Sequence, residues 1–577
     1  MQAPRLPRTR LLAAGAAAAA LAVSGCTGIT SDRGTGDAEA GQLTVLSLGP
    51  VATWDPQRIS TAQDIAFAGR VFARTLTAFP AGGETGRPQN VEGDLATTTG
   101  TVDSTLKTWS FTLRGGVAWQ DGSPVTCDDV RYGVSRSFAQ PFAAEGLNYP
   151  LAYLDIPRKA DGSSTYSGPY AKDAKGQAAF AKAVTCDGPT VTFRLSTPMA
   201  DFNQVVALPV FAPVKQSEDK AEDGTYAVFS NGPYQLKSDW DPSAGGTFER
   251  NPKWDKGSDP IRQAKPVSIR YVEGTESQTA VQQVINDDEP HRQSVTLDSA
   301  PPAMQQHIQS DDALKARSVN PSAQFVDYLA PNVSKGVMRN AKAREALALA
   351  TNREGYVTAL GGASAASAAY TLIGPSLPGH SDADPLGSGP AGDAARARAA
   401  LQESGLTLPV KVRVAYRSTP TADKAMAALS NGWEDAGFAV QLQPIAKDYF
   451  EEVSAPGRTD DTDVFWANWA PAWPSASTVI PPLFDSRINV TRSGNGRDIG
   501  GFTDEAVNRE ISRIGALHDL ASQATAWGAL DASLAERGVF IALAQRKALY
   551  VAGTSVTGLR ANEALGGFVD LATVGVK

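Results

Sequence analysis

Cysteine is nearly missing from this chain: 577 residues hold three, with four histidines and five methionines. His291, His307, His380 and His518 stand far apart in sequence, so metal ligation and Ser-His-Asp chemistry have little to build on. No HExxH, GxSxG or Walker A pattern occurs. Gly387-Ser388-Gly389-Pro390-Ala391-Gly392 satisfies GxGxxG, but it follows no strand and lies in a Pro/Gly-rich link, which argues against a dinucleotide site. Ser104-Lys107 and Ser217-Lys220 fit SxxK without the companion motifs of penicillin-recognising enzymes. No catalytic residue, metal ligand or cofactor site is assigned. An excess of basic charge is missing too: 53 Lys and Arg against 61 Asp and Glu give −8, a poor surface for nucleic acid. Nor is there a membrane-length apolar run, since residues 11–23 fall short of a span. What remains is ordinary for a folded protein. Apolar content of 42 % and charged content of 20 % exclude disorder of the whole chain, and the length implies several domains at a prior of ~150 residues each.

The N-terminus sets the compartment. Arg5, Arg8 and Arg10 precede the apolar run, and small residues then lead through Val23-Ser24-Gly25 to Cys26, so residues 1–25 read as a signal peptide. Its end is similar to a bacterial lipobox, which implies cleavage before Cys26 and a diacylglyceryl group on its sulfur; the plainer alternative is a secreted protein with an incidental cysteine. Residues 26–42, rich in Gly, Thr, Ser and Asp, would be a flexible tether. Cleavage takes Lys plus Arg from 53 to 50 against 61 acids, a mature charge of −11. Outside the cell Cys127 and Cys186 most simply pair, closing a 59-residue loop for roughly 4 kcal/mol in the chain-entropy model; two buried free thiols are the alternative.

The most patterned stretch is 109–136. Residues 110–114 alternate polar and apolar, 117–119 repeat the alternation after Gly115-Gly116, and Asp121-Gly122-Ser123-Pro124 is a turn. Thr126 and Asp129 form a capping box for a helix whose Val130, Val134 and Phe138 share one face. Elsewhere strands are expected at 43–48, 191–195, 267–272, 410–416 and 440–445. Helices are expected at 64–76, around Val281, Val284 and Ile285, over 339–357, 393–405 and 422–436, with a small, flexible segment at 361–377.

Leu113, Arg114, Gly116, Val117, Trp119, Asp121, Gly122, Pro124, Val125, Thr126, Asp129, Val130, Tyr132 and Arg136 together resemble the signature of the family 5 extracellular solute-binding proteins, the peptide and nickel receptors of ABC importers. Trp54-Asp55-Pro56, Gly232-Pro233-Tyr234, Arg250-Asn251-Pro252 and the set Arg344, Ala346, Leu347, Ala350 and Arg353 resemble further family positions. The resemblance implies an α/β, two-lobed fold of the type II periplasmic-binding-protein kind, three-domain cluster C, with a hinge and a central cleft. It also implies an order of pieces: lobe I begins at 43–82, lobe II is inserted at 83–199, lobe I resumes at 200–300, lobe III occupies 301–544, and 545–577 returns to lobe I.

Three tryptophans in eight residues, Trp466, Trp469 and Trp473, with Asn468 among them, form the densest aromatic cluster of the chain, on a strand leading into a Pro-broken loop. Large flat rings suit a surface with one wet edge. The resemblance turns this loop toward the ligand, and the position at which peptide-binding relatives carry an Asp for the peptide amine aligns with Ala472. Tyr149 and Tyr153, four apart, serve either a pocket or packing under a loop. The implied function is a monomeric, lipid-anchored receptor on the outer face of a bacterial cell membrane. It would capture an oligopeptide or dipeptide and deliver it to an ABC permease and its ATPase. The alternatives are a secreted lipoprotein hydrolase, or a receptor for a sugar, an opine or a metal chelate.

Overall fold

A computed structural model describes residues 41–82, 90–455, 461–489 and 496–577. The signal peptide 1–25 and Cys26 lie outside the described residues, as does the tether up to residue 40. Among the described residues no helix is long and apolar enough to cross a membrane.

Among the described residues three larger sheets carry the chain, beside four two-stranded ones. Five strands are ordered Ser294–Thr296, Gln42–Leu46, Ser268–Val272, Gly246–Arg250, Tyr234–Leu236, parallel in the first two pairings and antiparallel in the rest. Beneath this sheet, fully buried Trp54 is ringed by Phe67, Phe72, Trp240, Phe248 and Tyr271, with centroids 5.1–6.0 Å from its own. Core residues of this group come from 43–297 and again from 548–574, so the C-terminal segment closes a core begun at the N-terminal end. The second sheet is an antiparallel four: Thr101–Val102, Thr108–Thr112, Thr190–Arg194, Val184–Asp187. Its alternation is legible in the residues themselves. Trp109, Phe111, Val191 and Phe193 point inward and are buried, while Ser110 and Thr192 meet on the other face through their hydroxyls at 2.8 Å. The third is a mixed six: Ala366–Ala368, Ile541–Lys547, Ser322–Pro331, Val464–Trp469, Val410–Arg417, Phe438–Ile445. It is packed by the largest core, drawn from 326–544.

The signature stretch is a joint between the first two of these bodies. Thr126 caps the helix Cys127–Arg136, and Asp129 returns the bond to the Thr126 amide at 2.9 Å. Residues 117–119, expected as a strand, instead make a tight loop with one bridge, Ala118 to Pro124; Gly116 and Gly122 take φ of +82° and +88°, and that geometry bends the chain too sharply for a ladder. Gln120 and Ser230 exchange two hydrogen bonds of 2.9 and 2.7 Å. Arg136 reaches Asp55 and Asp219, and the phenols of Tyr132 and Tyr170 both donate to Asp219. Cys127 and Cys186 are joined by a disulfide with Cα atoms 5.8 Å apart, tying that helix to the edge strand Val184–Asp187.

Two other expectations are corrected. The helix expected over 339–357 is two helices, Ala341–Leu349 and Arg353–Leu360, because Asn352 accepts the amide of Gly355 at 2.8 Å and starts a new cap. Residues 361–377 are not a loose surface link: they contribute the strand Ala366–Ala368, and Leu372 and Ile373 are buried with their amides held by the carboxylate of Asp531.

One buried acid gives the fold a pH dependence. Asp498 is 6 % exposed, and burial pushes its carboxyl up to about 7 despite amide donors including Phe502 at 2.7 Å. The folded chain thus keeps a proton that the unfolded chain releases near 3.8. Its stabilising effect is complete below about pH 4 and is lost as pH rises to about 7, a difference on the order of 4 kcal/mol. The melting temperature of the wild-type protein is therefore expected to fall more steeply between pH 5 and pH 8 than that of Asp498→Asn. Parallel pH profiles would refute this.

Candidate functional site: a cavity shared by three cores

The strand Val464–Trp469 pairs with Ser322–Pro331 so that Trp469 faces Val326 and Asn468 faces Asp327. Beyond it the chain turns through Pro471 and Pro474 into the short turn Ala476–Thr478. Thr478 organises that loop. Its carbonyl accepts the Trp469 indole N–H at 2.8 Å, and its hydroxyl accepts the Ala472 amide at 3.2 Å and donates to the Ser475 carbonyl at 2.8 Å. The Trp469 ring is consequently tied to the loop by its indole N–H and is partly exposed.

A cavity of about 470 Å³ opens beside it. Its walls come from all three bodies: Ala62, Ile65, Ala66 and Arg70 from the helix Ala62–Val71; Leu147 and Tyr149 from the second; Phe325, Trp469, Ala472 and Trp473 from the third; and Glu563 to Gly566 from the C-terminal return. The lining is mainly apolar and aromatic with a few polar groups, the usual composition of a small-molecule site.

Sequence reasoning grouped six residues, and the structure divides them. Trp469, Trp473 and Tyr149 line this cavity. Tyr153 stands behind Tyr149, their rings stacked at 6.0 Å and 4°, and burial pushes both phenols above their ordinary value, so both are neutral. Trp466 and Asn468 instead line a smaller cavity of about 160 Å³ with Tyr356, Tyr416, Arg417 and Arg546, because alternate residues of a strand face opposite sides. There the Trp466 indole donates to the Tyr356 hydroxyl at 2.9 Å, which donates in turn to Asp327 at 2.9 Å, and Arg546 pairs with Asp327 at 2.7 Å. Burial pushes the Asp327 carboxyl up even so.

Trp473 is the unexpected member. It leaves the third body and packs in the core of the second, 4 % exposed, edge-on to Tyr149 and Tyr153 at 5.3 and 6.2 Å. Its indole N–H donates to Asp201 at 2.9 Å, and Ser477 donates to the same oxygen at 3.0 Å. Asp201 and Glu563 both escaped sequence reasoning: neither belongs to a motif, and each matters only through partners hundreds of positions away.

The two cations of the cavity wall are already matched. Arg70 clasps Asp570 with bonds of 2.8 and 3.0 Å. Arg262 pairs with Asp94 at 2.8 Å and with Asp259 at 3.1 Å, and Arg74 joins Asp94 at 2.8 Å. The GxGxxG segment is likewise occupied by its own chain: Asp384 accepts the Gly389 amide at 2.8 Å and the Ser388 hydroxyl at 3.1 Å.

Residues 90–490 match the family described as bacterial extracellular solute-binding proteins, family 5. The chain belongs to that family. The α/β, two-lobed fold of this family 5 protein is also that of the clavulanic acid biosynthesis oligopeptide binding protein 2, with TM-score 0.81 and 26 % identity over 93 % of this chain and 96 % of the other. The unliganded open form of the murein tripeptide binding protein MppA shares the fold at TM-score 0.71 and 19 % identity, over 94 % of this chain and 98 % of its own. Among curated relatives, the periplasmic murein peptide-binding protein MppA of Escherichia coli is 22 % identical over 475 residues, 78 % of this chain and 79 % of that protein. The dipeptide-binding protein DppE of Bacillus subtilis is 29 % identical over 162 residues, a match spanning 27 % of each chain. The family is one of solute-binding receptors, and the relatives named here are peptide-binding proteins by name.

Proposed function

We propose that this family 5 protein is the solute-capturing receptor of an ABC importer and that its solute is a short peptide held in the 470 Å³ cavity. The observation that carries the reading is that one cavity draws its walls from three separately cored bodies. A ligand touching all three stabilises the arrangement in which they meet, so binding shifts the population toward closure, and the closed surface is what a permease reads. In this reading 43–82, 200–300 and 545–577 make one lobe, 83–199 a second and 301–544 the third. The names of the relatives point to peptides, and the partly buried Trp469 ring beside an apolar wall suits side chains of varied shape. Cys26 would carry the lipid that holds the receptor, as a monomer, on the outer face of the cell membrane.

Native mass spectrometry of the protein purified from its host tests the assignment. A peptide bound at one copy per chain is expected, and a sugar or metal chelate in its place would overturn the peptide. Trp469→Ala is expected to raise the peptide Kd by about tenfold or more while the melting temperature of the empty protein stays nearly unchanged. A large loss of empty-state stability would make Trp469 a packing residue. Incubation with the bound peptide is expected to return it intact; cleavage products would replace the receptor by a hydrolase.

A further inference from the structure

The formal charges around the cavity do not cancel, and the remainder has one address. Three charged side chains line it, Arg70, Arg262 and Glu563. Arg70 is neutralised by Asp570, and Arg262 belongs with Arg74 to a set of two cations and two anions completed by Asp94 and Asp259. Glu563 has no cation within salt-bridge distance among the described residues. One of its oxygens accepts the Ser322 amide at 3.2 Å, and the other has no protein partner among them.

Its support is rigid. Glu563 opens the turn Glu563–Leu565, which Asn562 caps by accepting the Ala564 amide at 3.1 Å. The Asn562 side chain is held in turn by Asp570 at 2.9 Å and by the Pro80 carbonyl at 2.9 Å. The same Asp570 therefore neutralises Arg70 and steadies the turn that presents Glu563. The rings of Phe325 and Trp469 line the same cavity, and aromatic faces attract cations as well as apolar groups.

We propose that Glu563 is the specificity-determining residue of this site and that the cavity selects peptides carrying a positively charged group, with the free Glu563 oxygen as its charge partner. The inference rests on the peptide reading above. Carboxylate and aromatic faces around a partly desolvated space favour an ammonium or guanidinium and disfavour a second carboxylate, which would meet uncompensated negative charge. Two sources of the cation share this chemistry, the α-ammonium of the peptide and a basic side chain.

Calorimetric titration of the full chain with three tripeptides separates them: Ala-Ala-Ala, N-acetyl-Ala-Ala-Ala and N-acetyl-Ala-Arg-Ala. At least one cationic peptide is expected to bind the wild type about tenfold or more tightly than the uncharged N-acetyl peptide, and Glu563→Gln is expected to abolish that preference. A preference for Ala-Ala-Ala assigns the α-ammonium, and one for N-acetyl-Ala-Arg-Ala the side chain. Gln retains an acceptor for the Ser322 amide, so the melting temperature of the empty variant should match the wild type. Binding of all three peptides with equal affinity, or a preference that survives Glu563→Gln, overturns the role of Glu563 and leaves the peptide reading standing. Failure of all three to bind overturns the peptide reading and this inference with it.

Discussion

Asp94→Ala is expected to lower the free energy of unfolding by about 3–5 kcal/mol, the cost of breaking a buried ion pair by removing one partner. Asp94 and Arg74 are fully buried, and Asp259 and Arg262 are 1 % exposed each. Asp94 is shared, with one oxygen 2.8 Å from Arg74 and the other 2.8 Å from Arg262. Its loss leaves two desolvated guanidiniums to share Asp259, which lies 3.6 Å from Arg74 and 3.1 Å from Arg262. Burial alone would raise the Asp259 carboxyl, but Arg262 and Arg74 outweigh it and hold it below the ordinary range. Stability from that carboxylate is therefore present above its unfolded value of 3.8 and is lost as pH falls below it. Because Arg262 also pins the Gly69 carbonyl at 2.6 Å and lines the cavity, the variant should bind ligand more weakly as well. Urea denaturation followed by tryptophan fluorescence measures the loss. A change under about 1 kcal/mol would mean that water replaces the missing carboxylate, and that the cluster is not dry.

Local grammar was the legible part of this chain. The capping box at Thr126 and Asp129, the alternation of Trp109, Phe111, Val191 and Phe193, and the helix stop at Gly437 are each decided within a few residues, and each stands where the pattern puts it. Where a side chain competes with its own backbone, pattern alone misleads. Asn352 breaks a helix that apolar spacing continues, and the left-handed glycines at 116 and 122 turn an alternating run into a loop. The site was half legible for a different reason. Aromatic density located the loop after Trp469, but density is indifferent to face. It could not tell that Trp466 and Asn468 turn toward Arg546, nor that the indole N–H of Trp473 is consumed by Asp201, 272 positions away. Glu563 carries no local signal at all, since its meaning depends on which cations elsewhere are already paired.

Trp473→Ala is expected to raise the ligand Kd about 100-fold while lowering the unfolding free energy much less than an ordinary core truncation. Removing a buried tryptophan costs about 3–5 kcal/mol where the ring is packed on all sides. Here the two sides of the contact belong to different bodies: the ring is carried by the loop after Val464–Trp469, and its partners Tyr149, Tyr153 and Asp201 belong to the second core or its edge. If the empty protein still populates the closed arrangement, the contact exists only there, and its loss falls on the closure equilibrium. A deficit of about 2.7 kcal/mol there weakens apparent affinity about 100-fold, because only the closed population binds tightly. Small-angle scattering of the ligand-free variant should give a larger radius of gyration than the wild type, and excess ligand should restore the compact value. Asp201→Asn keeps the shape and one acceptor, so the same changes are expected at about a tenth of the size in Kd. A variant with an unchanged radius of gyration and a melting temperature lowered by the full cost of a core truncation would make Trp473 a fixed strut, and closure would have to be driven by the ligand alone.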